Sequence, residues 1–216
     1  MGLRILVVDD HAVVRRGVRS LLESHEGWEV CGEATTGRDA VEQSRQLRPD
    51  VVVMDLSLPE LNGLDATRQI LKDAPGTEVL VLTMHRSEEL ARDVLRAGAR
   101  GYIMKSDADE NLITAVDTLR QHKPFLTSTV TGFVLDDFVR RGNSAQADLS
   151  SVGVTPRERE IIQLVAEGRS NKEAASTLGI SVKTIEAHRA NIMRKLQLRT
   201  ASDLVRYAIR NKIVQP

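Results

Sequence analysis

Five polar residues stand at the ends of short apolar runs, and their types suit phosphoryl chemistry. Asp9 and Asp10 end or follow the first run, Asp55 ends a later one, Thr83 ends another, and Lys105 follows a fourth. Clustered carboxylates attract a divalent cation, and an all-oxygen ligand set selects a hard ion such as Mg²⁺. A carboxylate beside Mg²⁺ can attack a phosphoryl group while the metal neutralises the phosphoryl oxygens. Taken singly, each residue also has an ordinary structural interpretation as a helix cap, a packing residue or a solvated charge.

The runs that carry these residues have the pattern of strands buried on both faces. Continuous apolar stretches such as residues 51–54 are typical of parallel strands covered by helices. Strict alternation with amphipathic segments predicts a five-stranded, doubly wound, parallel α/β domain. Function gathers at the carboxyl ends of such strands, so we expect the five polar residues to converge there. The predicted strands are Leu3 to Asp9, Glu29 to Ala34, Val51 to Asp55, Glu78 to Thr83 and Gly101 to Met104.

The end of the chain is predicted to be purely helical. Capping boxes begin at Thr155 and Ser170, and Ser181 and Thr200 are suited to cap two further helices. Gly168 and Gly179 stand where helix ends favour a left-handed residue. The pattern predicts four helices, and the short glycine-containing turn between the second and third is that of a helix-turn-helix.

A change of pattern separates the two halves. One more short amphipathic helix is predicted around Val130, Phe133, Val134 and Phe138, and residues 140–153 are polar and small. The sequence therefore predicts an α/β domain over residues 1–122, a linker with a short helix over 123–153, and a helical domain over 154–216.

The net charge of zero hides an asymmetry between the ends of the chain. Residues 1–125 hold 16 basic and 21 acidic residues, a net charge of −5, while residues 151–216 hold 12 and 6, a net charge of +6. Opposite signs fit one part that binds cations and one that meets phosphate backbones. No apolar run approaches the ~20 residues of a membrane helix, and no secretory signal is recognised. We expect a cytoplasmic protein, without membrane partners, in which the single cysteine, Cys31, is a buried packing residue.

The motifs ILVVDDH, VVVMDLSLPELNG, VLVLTMH and GARGYIMKS resemble the receiver domain of two-component response regulators over about residues 1–122. The resemblance implies that Asp55 is the phosphoacceptor and that Asp10 and Asp55 bind Mg²⁺ directly. Asp9 would assist through water, and the backbone carbonyl of Ser57 would complete the set.

The same resemblance implies a switch. Thr83 would move towards the phosphoryl group, Tyr102 would swing into the space released, and Lys105 would pair with a phosphoryl oxygen. In the loop after Asp55, Gly63 is expected to permit an unusual backbone angle. His11 is expected to be a surface residue at a helix start and not a phosphoacceptor.

The segment TPREREIIQLVAEGRSNKEAASTLGISVKTIEAHRANIMRKL resembles the LuxR-type helix-turn-helix that ends regulators of the NarL/FixJ class. A recognition helix is predicted from Val182 to Leu196, with Ile185, Ile192 and Leu196 packed inward. Glu186 and Ala187 are candidates for base readout, although many relatives carry a basic residue at position 186, and a surface ion pair of Glu186 with Lys183 is the alternative. Phosphate contacts are expected from Lys183, Arg189, Arg194, Lys195 and Lys172. The full set of candidate DNA-binding residues is Lys172, Lys183, Thr184, Glu186, Ala187, His188, Arg189, Ala190, Arg194 and Lys195.

The resemblance implies a DNA-binding response regulator and not an enzyme. A sensor histidine kinase would phosphorylate Asp55, and the phosphorylated chain would form a homodimer on promoter DNA, with RNA polymerase as a further candidate partner. Phosphatases of the haloacid-dehalogenase type also use an aspartyl nucleophile, but they need a second aspartate where this chain has Ser57. The remaining alternative is a phosphorylation-independent dimeric transcription factor that uses the receiver only for assembly.

Overall fold

The computed structural model describes residues 2–84, 87–127, 131 and 154–214, and these form two compact units. The first unit alternates strands and helices, and the second consists of four helices. The first unit's elements are β1 Leu3–Val8, α1 Ala12–Glu23, β2 Trp28–Ala34, α2 Gly37–Leu47, β3 Val51–Met54, α3 Gly63–Asp73, β4 Glu78–Thr83, α4 Glu88–Arg96, β5 Gly101–Met104, a 3₁₀ turn Lys105–Asp107, α5 Ala108–Arg120 and β6 Phe125–Leu126.

The strands form one parallel sheet in the order β2-β1-β3-β4-β5-β6. This confirms the predicted doubly wound α/β architecture and adds a sixth strand to the predicted five. The added strand β6 pairs Phe125 with Gly101 and Leu126 with Tyr102 of β5, so the start of the predicted linker is part of the sheet. The short helix predicted around Val130, with the polar stretch after it, lies outside the described residues.

The sheet's position between layers of helices explains the apolar runs. All residues of β3 and β4 are buried, including Glu78 at the start of β4. On one face, Ile5, Val53 and Leu82 pack against α1 and α5. Burial on both faces removes the central strands β3 and β4 from water, and their backbone groups are satisfied by the parallel ladders.

Gly63, at the start of α3, is required by close packing. A Cβ atom added there would lie 1.9 Å from the backbone oxygen of Asp55, and the Gly63 N–H donates to Leu56 O at 3.0 Å. The prediction that Gly63 adopts an unusual backbone angle is wrong. The residue of this loop with a left-handed backbone is Glu60, whose φ is 66°. The glycine instead lets the loop fold directly over the end of β3.

The second unit contains α6 Pro156–Ala166, α7 Asn171–Leu178, α8 Val182–Lys195 and α9 Ala201–Arg210. Capping boxes open α6, α7 and α9, and Ser181 caps α8, as the sequence predicts. Gly168 and Gly179 adopt φ of 81° and 63°, which confirms the left-handed helix ends. No helix in the described ranges is both long enough and apolar enough to span a bilayer.

Replacing Gly63 by alanine should destabilise the first unit by roughly 1–3 kcal/mol, because the new methyl group collides with backbone that cannot yield. Gly17→Ala is the matched control, since a Cβ there meets nothing within 4 Å and the site is inside α1. That control should stabilise by about 0.5–1 kcal/mol. Urea unfolding followed by the fluorescence of Trp28, the single tryptophan, reports on this unit. Equal stabilities of the two variants would contradict the close-packing argument.

Candidate functional site

The sheet brings Asp9 and Asp55 side by side at its carboxyl edge. The Asp55 N–H donates to Val8 O at 2.9 Å, and the Asp9 N–H donates to Ala34 O at 3.1 Å. The strand pairing thus continues into both aspartates and fixes their backbones. Each is only 2% exposed, whereas Asp10, the next residue, is exposed.

Lys105 joins the two buried carboxylates. Its Nζ lies 2.7 Å from Asp9 Oδ2 and 2.9 Å from Asp55 Oδ2. The lysine opens the 3₁₀ turn after β5, and its side chain is 9% exposed. Burial alone lowers the pKa of Lys105, but the hydrogen bonds to Asp9 and Asp55 outweigh it and raise the pKa above its ordinary value. The ammonium therefore stays charged between the carboxylates.

The Asp55 side chain is buried, and both of its carboxylate oxygens accept hydrogen bonds. Burial raises the pKa of Asp55, while the hydrogen bond and charge of Lys105 oppose that rise. Its Oδ1 accepts the Leu56 N–H at 2.8 Å, and a backbone hydrogen bond from Ser57 also favours the charged form. Ser57, a predicted site residue, therefore contacts Asp55 through its main chain.

The carboxylates of Asp9, Asp10 and Asp55 form a cluster that also includes His11. Ligand atoms from all four residues lie within 4.8 Å of one another. The Asp9 carboxylate also accepts the His11 N–H at 2.8 Å, which ties the start of α1 to the site. The donors from the three aspartates are all oxygens, the type that Mg²⁺ prefers.

A tether that the sequence reasoning missed holds the loop between β1 and α1. Arg15 Nη1 donates to the backbone oxygen of Asp9 at 2.7 Å, and Arg15 Nε donates to Glu33 Oε2 at 3.0 Å. Glu33 also accepts from Arg19, and this bond is the main reason that its pKa is lowered. The available signal was a glutamate in β2, with arginines one helical turn apart in the preceding helix α1.

Thr83 and Tyr102 lie on the same face of neighbouring strands. In the register of β4 and β5, Tyr102 is opposite Val81 and Thr83 is opposite Met104, so the two predicted switch residues are diagonal neighbours. Thr83 is 0% exposed and Tyr102 1% exposed. Burial raises the pKa of Tyr102 to about 12, so the phenol is neutral in the folded protein.

The inner face of α8 confirms the predicted packing. Ile185 and Ile192 are buried, and Leu196 is partly buried against the same cluster. They belong to the same hydrophobic cluster as buried residues of α6 and α7, namely Ile161, Leu164, Val165, Ala174 and Leu178. Arg157 of α6 donates to the terminal carbonyl of α7, Leu178 O, at 2.9 Å, which helps to hold α7 in place.

The predicted DNA-binding residues lie on α8, except Lys172, which lies on α7. Three basic side chains of α8 have protein partners. Lys195 Nζ donates to Glu158 Oε2 of α6 at 2.8 Å, and the guanidinium of Arg189 donates to Asn171 of α7. Arg194 donates to Asn191 within α8 at 2.8 Å. The exposed members of the predicted set are Lys172, Lys183, Thr184, Glu186, Ala187, Ala190, Arg194 and Lys195, whereas His188 and Arg189 are half-buried.

Family comparisons match both units. Residues 5–117 match the response regulator receiver domain, and residues 153–208 match the bacterial regulatory proteins of the luxR family. The chain belongs to the two-component response regulators of the NarL/FixJ class. As a member it acts as a transcription factor and not as an enzyme.

Known proteins are similar to this response regulator over part or nearly all of its length. It is 40% identical to the oxygen regulatory protein NreC of Staphylococcus epidermidis, over 99% of this chain and 100% of that protein. A LuxR-family response regulator from Aurantimonas sp. is 34% identical with a TM-score of 0.61, covering 64% of this chain and 99% of that one. An RcsB–DNA complex is 26% identical with a TM-score of 0.58, covering 96% and 98%.

Proposed function

We propose that a sensor histidine kinase phosphorylates this response regulator on Asp55 with the help of Mg²⁺, and that the phosphoryl group promotes dimerisation and binding to promoter DNA. The observation that carries the proposal is the edge-of-sheet cluster in which Lys105 bridges Asp9 and Asp55. A protein with this function is cytoplasmic.

The donor set fits Mg²⁺. Asp10 and Asp55 would hold the ion directly, the carbonyl of Ser57 would add a further oxygen, and Asp9 would contribute through a water molecule. With three carboxylates ionised and Lys105 charged, the side chains leave a net charge of −2, which one divalent cation neutralises. When bound, Mg²⁺ supplies charge neutralisation at the phosphoryl oxygens.

Asp55 is the best-placed nucleophile. One of its carboxylate oxygens attacks the phosphorus of a phosphohistidine, an O–P bond forms, the P–N bond breaks, and the histidine nitrogen leaves with the electron pair. Lys105 then exchanges its contact with Asp55 for a phosphoryl oxygen and keeps Asp9 as a partner. Because Asp55 and Lys105 are nearly excluded from water, their electrostatic interactions are stronger than at an exposed site.

Thr83 and Tyr102 would carry the signal away from Asp55. Thr83 ends the strand beside β3, so its hydroxyl is suited to bind a phosphoryl oxygen. Movement of Thr83 would release space on the shared face of β4 and β5, where Tyr102 is buried in this structure. Two alternative side-chain arrangements of Thr83 and Tyr102 would form the bistable element that a switch requires.

The helical domain, which we place at residues 154–216, would insert α8 into the major groove. Lys183 and Lys172 are the strongest candidates for phosphate contacts, because both are exposed, whereas the exposed Arg194 and Lys195 already donate to protein partners. Arg189 and Lys195 would act first in holding α8 against α7 and α6. Glu186 and Ala187, with Thr184, His188 and Ala190 alongside, would lie nearest the base edges.

Coupling between the receiver, residues 1–122, and the helical domain must be conformational. A phosphoryl group adds about −1.5 to −2 charges, and screening over ~8 Å prevents that charge from acting on distant DNA. A dimer would place two α8 helices on adjacent half-sites, and the part of residues 123–153 that follows β6 would be the linker. An RcsB structure in which two dimers bind two DNAs supports this arrangement, and RNA polymerase would then be recruited by the DNA-bound dimer. An unphosphorylated assembly role is the weaker alternative, because every acidic-site position is filled.

Substituting Asp55→Asn should abolish phosphoryl uptake while the fold persists, because asparagine keeps the shape but loses the nucleophilic oxygen. The measurement is the intact mass of the full chain after incubation with acetyl phosphate, with Mg²⁺ or with a chelator. Wild type should gain one phosphoryl group only with Mg²⁺. Asp109→Asn, an exposed aspartate on α5, is the control and should be labelled normally. Labelling of the Asp55→Asn variant would show that another residue is the acceptor.

On DNA selected from random sequence, Lys183→Ala should weaken binding and reduce the slope of log affinity against log salt by ~0.9, because one phosphate contact is lost. Lys195→Ala should change the slope less and instead lower the stability of the helical domain, because it breaks the bond to Glu158. Fluorescence anisotropy over about 50–200 mM salt separates the two effects. Equal slope changes would mean that Lys195 contacts DNA as directly as Lys183.

A further inference from the structure

His11 turns its imidazole towards the acidic site. Its Nδ1 lies 2.7 Å from Asp10 Oδ1 and 3.5 Å from Asp9 Oδ1. Ligand atoms of Asp9, Asp10, His11 and Asp55 all lie within 4.8 Å of one another. Ligand atoms held at ~2.0–2.2 Å by one tetrahedral metal ion lie roughly 3.3–3.6 Å apart, so a small inward movement of these side chains would complete the coordination. The cluster therefore offers one nitrogen ligand beside its oxygens.

The local structure favours a ligand role for this side chain over a capping role. His11 is the N-cap residue of α1, but its side chain makes no capping hydrogen bond. The Asp9 carboxylate instead accepts the His11 N–H and fixes the backbone of His11 beside the site. The imidazole itself is 66% exposed, so it can adjust to an incoming ion with little cost in packing.

We propose that His11 converts the acidic site into a mixed nitrogen–oxygen site that binds Zn²⁺ in competition with Mg²⁺. Imidazole nitrogen suits Zn²⁺, whereas Mg²⁺ prefers oxygen ligands and retains waters. One imidazole and three carboxylates supply the four ligands that Zn²⁺ commonly takes. The proposal of zinc binding depends on this geometry and not on the phosphorylation of Asp55.

The regulatory consequence rests on the proposed function. A Zn²⁺ ion ligated by Asp55 occupies the carboxylate that would otherwise attack phosphorus, and it also excludes Mg²⁺. Zinc therefore inhibits the Mg²⁺-dependent labelling of Asp55, and the inhibition requires His11. The site would make phosphorylation sensitive to the available divalent ion.

The test compares Zn²⁺ and Mg²⁺ affinities of the full chain by isothermal titration, using metal-buffered Zn²⁺ solutions. The His11→Ala variant should have a ratio of Zn²⁺ affinity to Mg²⁺ affinity that is at least ~10-fold lower than in the wild type. Mutating a residue that only contacts a metal ligand already lowers metal affinity by about this factor, so losing a direct ligand should cost no less. His11→Gln, which keeps a polar side chain without the imidazole, should behave like His11→Ala. His25→Ala removes another exposed imidazole of the same unit and should leave the ratio unchanged.

An unchanged ratio in both His11 variants would overturn the proposal, as would an equal loss for the two metals. A direct check is the NMR signal of the His11 ring, which should shift on adding Zn²⁺ and not on adding Mg²⁺; a Zn²⁺ shift confined to other histidines would also overturn it. The two proposals fail separately. If Asp55 is not labelled with Mg²⁺, the phosphorylation proposal fails while the zinc titration still decides the role of His11.

Discussion

The ionic bridge from Lys105 to Asp9 and Asp55 is the interaction on which the rest of the site depends. Two carboxylates that are almost completely buried repel each other, and burial penalises the charge on each. One ammonium between them offsets both costs, at distances of 2.7 and 2.9 Å. In the proposed function, the remaining negative charge would draw a divalent cation and, through it, a phosphoryl group. The parallel sheet serves this arrangement by bringing strand ends that are distant in sequence to one edge.

Much of this arrangement is predictable because parallel topology converts sequence patterns into positions. Buried runs identify the strands, so the residues at their ends must meet, and Asp9, Asp55, Thr83 and Lys105 could be assigned to one edge. Helix caps are local signals, which is why the four helices of the second unit were also predicted correctly. The family resemblance then added roles for individual residues that patterns alone cannot supply.

Features that depend on exact tertiary distances were not predictable. The two-residue strand β6 is too short for periodicity to reveal. The importance of Gly63 comes from an approach to the Asp55 backbone and not from a special backbone angle. Whether a basic residue on α8 faces DNA or a neighbouring helix is equally invisible in sequence, and the bond from Lys195 to Glu158 shows that helical spacing alone overestimates the number of side chains available for phosphates.

We propose that one phosphoryl group on Asp55 changes both the assembly of the chain and its affinity for DNA. Such a switch needs several kcal/mol of differential stabilisation to move a population from mostly off to mostly on. The most direct measurement is sedimentation velocity together with DNA affinity, with and without Mg²⁺ and beryllium trifluoride as a phosphoryl analogue. We expect the analogue to increase the dimer fraction and to tighten DNA binding together. Identical mass and identical affinity in both states would contradict it.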